Sequence, residues 1–256
     1  MSLQLNKLSD AAIQSDIANN RERLEKFLAA PESSPMRSDR VRYTRRLADA
    51  ALDLGLELYQ QEGDLAEVRR YLGLAGKELL SILFIESEKA VLSPLEFEKA
   101  LALAECFCPR SLYESINKVP VGKFFASPDS LKFYTVLAHY LDVLRLYLPT
   151  KKLNNEAWKH VESECLQTNA SRYDSEVNLA KLKALKAVDT SDGDLLNTAI
   201  ATLVRDHENE ATRGDNQRSS RGFISLPALM YAHMGASRGL ACTVKSPYLP
   251  NSLPNQ

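Results

Sequence analysis

Apolar residues recur every three to four positions along most of the chain, which is the period of an amphipathic α-helix. The clearest stripe lies in residues 38–62, where apolar side chains return in steps of three, four and seven. Its members are Val41, Ala48, Leu52, Leu56 and Tyr59. Strict alternation of apolar and polar residues, which would indicate strands, is almost absent. The pattern therefore predicts an all-α fold.

Helix-start signals divide this pattern into about nine helical segments. Ser9 can cap a helix over about 10–29, and Asp64 can cap the helix that follows the 38–62 segment. Ser-Pro pairs open two more, and SPLE at 93–96 has the spacing of a capping box, with Pro94 in the first turn. The two Ser-Pro helices, from Ser93 and Ser127, should end near Pro109 and before Pro149. Four more helices are predicted. One begins at Asn154 or Asn155, two cover 175–188 and 193–211, and the last begins at Ser225.

The last part of the chain is apolar and rich in proline. Its helix should end at Gly239, because glycine takes the left-handed conformation without strain. Residues 240–245 have β-leaning side chains and no evident strand partner. Residues 246–254 should be extended, since each proline disfavours helix in the residue before it. Leu249 and Leu253 would be costly to leave in water, so we expect this tail to pack along the helices.

These segments fit one domain. The chain has 256 residues, a length that one large domain accommodates. No fixed period typical of helical repeats is found, and helices joined by short loops usually lie antiparallel. We therefore expect a single helical domain over 1–256, built as an antiparallel bundle or as stacked helical pairs. Residues 1–37 are a candidate for a peripheral N-terminal helix.

Composition and charge narrow the function classes. With 45% hydrophobic and 25% charged residues, the chain is typical of a globular protein rather than a disordered one. A formal net charge of −1 lacks the basic excess of a nucleic-acid-binding domain. No signal-peptide pattern and no membrane-spanning apolar run is present, so we expect a cytoplasmic protein with no membrane partner. The four cysteines lack the spacing of a disulfide or zinc framework, which predicts reduced thiols.

Two apolar segments near the end of the chain carry its most specific pattern. They are ISLPALMYAHMGASRGL at 224–240 and SPYLP at 246–250. Together they resemble the end of the immunity protein 49 family, bacterial proteins that neutralise polymorphic toxins in interbacterial competition such as type VI secretion. The resemblance implies tight binding to a cognate toxin, with no catalytic residues and no cofactor. Since we expect a cytoplasmic protein, the toxin should act there, and a nuclease encoded nearby is the first expectation. A helical scaffold or adaptor that binds another protein is the alternative.

Charged residues at the end of the 193–211 helix form the candidate toxin-binding site. Acidic groups there would steer a basic toxin surface towards the protein, whereas an ordinary charged helix end is the structural alternative. The polar stretch at 207–222 belongs to the same partner surface or is a flexible connector. The candidate residues are Asp206, Glu208, Glu210, Arg213 and Asp215.

Two histidine-containing segments have residue types that could support a metal site or catalysis. HVESEC at 160–165 contains metal-capable side chains. On a helix, however, His160 and Glu164 share a face that Glu162 does not, so we expect no metal site. Asp206 and His207 lie among polar residues, so we expect both to be solvated rather than poised for acid–base catalysis. An enzyme built around His160 or His207 is the third and least favoured hypothesis.

Three further groups are interpreted structurally. Five arginines within 37–46 spread around their helix, which weakens the case for a phosphate site. His233, with Met230 and Met234, is expected in the core. Three tyrosines of one predicted helix are also expected to pack in the core rather than to stack on nucleic-acid bases. These are Tyr134, Tyr140 and Tyr147.

Overall fold

The computed structural model describes residues 6–87, 90–124 and 128–254, apart from the side chains of residues 113 and 128–133. Within these ranges the regular elements are helices, and no strand occurs. The prediction of an all-α fold is therefore confirmed. The α-helices are α1 (Asp10–Ala29), α2 (Arg40–Gln60), α3 (Leu65–Ile82), α4 (Pro94–Phe107), α5 (Pro128–Thr150), α6 (Asn155–Cys165), α7 (Leu179–Thr190), α8 (Gly193–Thr212) and α9 (Leu226–Ala236).

Side-chain caps begin four of the helices at the residues that the sequence predicts. The side chains of Ser9, Asp64 and Asn154 each accept a backbone N–H of the first turn that follows. At Ser93 the capping box is complete. Its hydroxyl accepts the N–H of Glu96 at 3.2 Å, and the Glu96 carboxylate accepts the N–H of Ser93 at 2.8 Å. These local bonds satisfy N–H groups that a helix leaves without partners.

The end of α5 differs from the prediction, because the helix continues through Pro149 to Thr150. Proline lacks an N–H and crowds the carbonyl four residues before it. Here the Thr150 hydroxyl donates to the carbonyl of Leu146 at 2.8 Å, and the Lys151 N–H donates to that of Tyr147 at 2.6 Å. The carbonyls of Leu146 and Tyr147 are thus hydrogen-bonded at the end of the helix. Ser127, predicted to cap α5, lies outside the described residues.

A π-helix, Tyr173–Asn178, precedes α7 where the sequence predicts regular α-helix from residue 175. Its first turn is held by Ser171, whose hydroxyl accepts the N–H of Asp174 at 3.0 Å and whose carbonyl accepts that of Ser175 at 2.9 Å. The prediction of an α-helical start was therefore wrong here. Hydrophobic periodicity does not distinguish the two helix types over so few residues, and π-turns often occur at functional sites.

Helices α4 and α9 form the centre of the fold. Helix α4 packs on α3, α5 and α9, and α9 also packs on α7 and α8. Buried residues on all sides of α9 explain its uniformly apolar sequence. Gly76 of α3 permits close approach to α4, since a Cβ there would lie 2.9 Å from Cβ of Leu103. Around this centre α1 to α4 pack in chain order, while α5 with α6 and α7 with α8 form two further pairs.

The start and end of α9 are tied to the chain that follows it. Ser225 occupies the N-cap position as predicted, but its side chain makes no capping bond. Its N–H instead donates to the carbonyl of Tyr248 at 2.9 Å. The regular helix ends at Ala236, and Gly239 has a φ of 77°, the left-handed conformation expected for a terminating glycine. The segment therefore turns back towards its own beginning.

The C-terminal tail packs on the helices, as predicted, but residues 246–254 are not extended throughout. Successive turns occur there, in which the N–H of Leu249 donates to the carbonyl of Ser246 at 3.1 Å and the N–H of Leu253 donates to that of Pro250 at 2.9 Å. Asn197 of α8 bonds the backbone of 240–245 through both amide atoms, at 3.1 and 2.7 Å, and so takes the place of a strand partner. Beyond it, Leu249 and Leu253 are buried. Arg69 of α3 donates to the carbonyl of Leu253 at 2.6 Å. The tail thus contacts elements from both ends of the sequence.

Candidate functional site

The residues predicted to contact a toxin lie at the end of α8 and on the 3₁₀ turn Asp215–Arg218 that follows it. Asp206 and Glu210 are four residues apart and so share one side of α8, and Arg213 is the C-cap residue that ends this helix. Glu208 lies on the other side, near Tyr248, whose pKa is raised by burial and by the charge of Glu208. The structure therefore brings Asp206, Glu210 and Asp215 together and leaves Glu208 apart.

The carboxylates of this cluster are not engaged in close ion pairs in the described part of the chain, although the charges of Lys181 and Arg172 act on Asp206. No ion pair in the described part of the chain includes Asp206, Glu210, Asp215 or Arg213. The Glu210 carboxylate accepts the N–H of Asp215 at 3.1 Å, which ties the 3₁₀ turn to α8. Burial, followed by the charge of Glu210, raises the pKa of Asp206. Three carboxylates without a close ion pair therefore lie at this edge of the described structure.

A groove of about 400 Å³ runs between α8 and the π-helix with α7. Asp206 lines the α8 wall, and an Arg172–Glu176 pair at 3.0 Å lines the opposite wall. Arg205 and Lys183 also line it, are exposed, and have no ion pair among the described residues. Ligand pockets for small molecules are mostly apolar, whereas these charged walls suit a polar protein segment. Sequence reasoning missed the groove, because it arises from the packing of two helices that each look ordinary alone.

A buried ion pair supports the wall of the groove formed by the π-helix. Lys181 of α7, with its side chain 2% exposed, lies 2.8 Å from the carboxylate of Glu98 on α4. It also bonds the hydroxyl of Tyr173 at 3.1 Å and the amide oxygen of Asn178 at 3.3 Å. Burial alone would lower the pKa of Lys181, but the charge of Glu98 and the interactions with Glu98 and Tyr173 raise it above the ordinary value. Both ends of the π-helix are therefore tied to the core through one ammonium group.

His207 is not solvated, contrary to the prediction. Its ring nitrogen Nε2 lies 3.1 Å from the carbonyl of Gly222, and its ring meets that of Tyr248 edge-on at 5.4 Å. Burial lowers the pKa of His207 to about 4. The imidazole is therefore neutral at neutral pH and donates to a backbone carbonyl, which is a structural role.

The polar stretch 207–222 is anchored rather than loosely connected. The Asn6 side chain donates to the carbonyl of Ser219 at 2.8 Å, and the Ser220 hydroxyl donates to Asp53 of α2 at 3.0 Å. Arg221 pairs with Asp49 at 3.2 Å. The carboxylates at the end of α8 (the acidic edge) therefore lie beside a segment that is held in place by these contacts.

The HVESEC segment forms part of α6, and a neighbouring helix adds a histidine to it. His160 and Glu164 share a face as predicted, but His139 of α5 also reaches Glu164, with Nδ1 at 2.9 and 3.0 Å from the two carboxylate oxygens. Ligand-capable atoms of all three residues lie within 4.8 Å of one another. Cys165 is buried and outside this group. The sequence pattern does not reveal this third residue, since helix pairing and not sequence spacing brings His139 to the other two.

The arginine run at 37–46 is partly used within the fold. Arg45 lies 3.0 Å from Glu96, and the Arg37 guanidinium lies 4.9 Å from the ring centre of Tyr43. These contacts agree with the structural interpretation of the run.

The core interpretation of α9 and of the helix tyrosines needs one correction. Met230 and Met234 are buried, as are Tyr140 and Tyr147. Tyr134 is half-buried and packs against the core from its edge. His233 is only half-buried, and burial lowers its pKa. It faces a small pocket lined by Glu105, Lys151 and Arg238 rather than the core.

An all-helical fold with an uncompensated charged edge beside a polar groove is typical of a protein that binds another macromolecule. The family model described as Immunity protein 49 matches residues 100–253, more than half of the chain. The chain belongs to the immunity protein 49 family. No curated protein and no solved structure matches it. None of the described helices has both the length and the apolar composition needed to cross a bilayer.

Proposed function

We propose that this immunity protein binds and neutralises a cognate toxin that is a nuclease acting in the cytoplasm. Membership of the family supports the immunity role. The observation that carries the choice of binding face is the set of carboxylates without ion-pair partners at the end of α8, Asp206, Glu210 and Asp215. The groove between α8 and the π-helix adjoins them, so we assign both to one toxin-binding surface.

Charge complementarity favours a nuclease over a toxin with an acidic or neutral active face. A nuclease holds phosphates mainly through lysine and arginine, so its substrate cleft is basic. An acidic edge held on fixed helices would approach that cleft and compete with nucleic acid for the same side chains. Such complementarity raises the association rate and selects the partner. Inhibition by covering or distorting the active site follows, with no catalytic step and no cofactor on the side of this chain.

The surface must be larger than the carboxylates themselves. A stable protein complex buries about 800 Å² on each partner, which the end of α8 alone does not supply. The polar groove adds Arg205 and Lys183, which have no ion pairs in the described structure and can meet toxin carboxylates at the rim. We therefore expect acidic steering at the edge of the interface and mixed polar contacts in the groove.

The first test pairs the purified chain with an inactivated toxin encoded by the neighbouring gene. Biolayer interferometry should give a one-to-one complex with nanomolar affinity, and nucleic-acid cleavage by active toxin should fall in proportion to the immunity protein added. Failure to associate at micromolar concentration would remove the proposed pairing. Association without loss of cleavage would instead favour a scaffold or adaptor.

The second test addresses the binding face with two variants of equal charge change. Asp206→Asn with Glu210→Gln removes two carboxylates from the face, and Glu25→Gln with Glu32→Gln removes two exposed carboxylates near α1. At low salt the first variant should associate about tenfold more slowly, and the difference should shrink as added salt screens the charges. The α1 variant should behave like wild type. Equal rates for both variants would show that the toxin binds elsewhere.

A further inference from the structure

We propose that His139, His160 and Glu164 form a surface binding site for a divalent zinc-like metal ion, with two imidazoles and one carboxylate as ligands. These are the ligand types of open zinc sites, in which three protein groups leave a position for water. Neither the immunity role nor the proposed toxin-binding surface requires this site.

The helix pairing places the three residues at one level. Helices α5 and α6 are consecutive and pack against each other across a short connection. At a rise of about 1.5 Å per residue, His139 lies roughly 16 Å before the end of α5, and Glu164 lies roughly 14 Å beyond the start of α6. His160 precedes Glu164 by four residues and so points from the same side of α6. The three side chains therefore converge from two helices.

The contacts within the cluster suit a shared cation. Both oxygens of Glu164 lie 2.9–3.0 Å from Nδ1 of His139, although one ring nitrogen carries at most one proton to donate. Nε2 of His160 lies 3.7 Å from Oε1 of Glu164, which is too far for a good hydrogen bond. Tetrahedral zinc with bonds of about 2.0–2.2 Å holds its ligand atoms about 3.3 Å apart. Small side-chain rotations bring these atoms to that spacing.

Exposure determines how an ion would reach the site. The side chain of Glu164 is 17% exposed, that of His139 is 37% exposed, and that of His160 is 66% exposed. The carboxylate thus forms the floor, while His160 stands at the solvent edge. An ion can enter from water and keep water on its open side. Imidazole ligands favour zinc and its neighbours in the transition series over magnesium or calcium, which prefer oxygen.

Titration of the tag-free protein with zinc chloride in a chelator-free buffer tests the site. Calorimetry should show one equivalent of bound zinc, and magnesium chloride should give no saturable binding. Cobalt chloride should produce the visible absorption of a tetrahedral or five-coordinate ion. No saturable zinc binding by the wild-type protein at tens of micromolar metal would overturn the assignment and leave the cluster as a histidine–carboxylate hydrogen bond.

Two variants separate this site from adventitious binding. His160→Ala removes the most exposed ligand and should lower zinc affinity at least about tenfold, since even the outer partners of a metal site contribute about 10–100-fold. Glu162→Gln lies on the same helix but not on the cluster face, and should bind zinc like wild type. Zinc should raise the unfolding temperature of wild type and of Glu162→Gln but not of His160→Ala. Equal zinc affinity in both variants would refute the site.

Discussion

Breaking the buried pair of Lys181 and Glu98 should be among the most damaging single changes in the molecule. In Lys181→Met the ammonium is lost, and the carboxylate of Glu98, with its side chain 7% exposed, keeps its charge without a partner. Removing one member of a buried ion pair costs about 3–5 kcal/mol. Since a domain is stable by about 5–15 kcal/mol in total, this variant should lose a large fraction of its stability.

Replacing both partners should restore most of that loss. In Glu98→Met combined with Lys181→Met no buried charge remains, and apolar replacement of a buried pair is often neutral or stabilising. The Tyr173 hydroxyl and the Asn178 amide oxygen still lose their bonds to Lys181, at about 1 kcal/mol each. The double variant should therefore lie within about 2 kcal/mol of wild type. The surface change Lys183→Met, two residues along α7, should stay within about 0.5 kcal/mol.

Urea unfolding followed by far-ultraviolet circular dichroism measures all four proteins. With a slope of about 2–3 kcal/mol per molar urea, Lys181→Met should shift the midpoint down by about 1–2 M. The double variant should return most of the way, and Lys183→Met should overlay wild type. A double variant as unstable as Lys181→Met would refute the reasoning, because packing and not an unpaired charge would then explain the loss.

Three further outcomes follow from local features of the fold. Ser93→Ala should cost about 1 kcal/mol in urea unfolding, because α4 loses its capping box, and an unchanged midpoint would contradict this. Gly76→Ala should cost about 1–3 kcal/mol, because the new methyl group meets Leu103 of α4; a stabilised variant would show that the two helices can separate freely. Burial raises the pKa of Glu57 from 4.5 to about 7, so the native state holds a proton that the unfolded chain releases, and stability falls as pH rises between these values. Glu57→Gln should remove this loss of stability, worth up to about 3 kcal/mol. In that variant the stability should instead fall as pH decreases from 6.5 towards 4, because the pKa of His207 is lowered to about 4 in the native state. Plots of the free energy of unfolding against pH from 4 to 7.5 that are parallel for wild type and Glu57→Gln would refute this reasoning.

The sequence predicts most of the fold because the relevant signals are local. Ser9, Asp64, Ser93 and Asn154 cap helices through backbone groups two or three residues away, so their roles can be read from spacing alone. The continuation of α5 past Pro149 was missed because a proline within a helical pattern usually marks the end of the helix. The π-helix was missed because its residues have the same apolar spacing as an α-helix.

The candidate site is less predictable, because its parts meet only after packing. The charged residues at the end of α8 were identified from composition, but the separation of Glu208 from Asp206 and the adjoining groove depend on three-dimensional placement. A lysine on an apolar helix face gives no sign that a carboxylate 83 residues away will pair with it. His139 lies 25 positions from Glu164, and only the antiparallel pairing of α5 and α6 makes them neighbours.

The packing of the tail on α2 and α3 determines where the chain can be truncated without disturbing its fold. The region that the family model matches, residues 100–253, ends with a segment whose backbone carbonyls accept hydrogen bonds from Arg69 and from the hydroxyl of Tyr59. A fragment cut at residue 100 would lose these anchors and uncover the apolar underside of the last segment together with one flank of α4. Mapping the toxin-binding surface with such a fragment would therefore describe a protein that has lost part of its native packing. We therefore expect the helices that the structure describes to unfold together, so that amide exchange in α2 and α9 reports one shared opening energy.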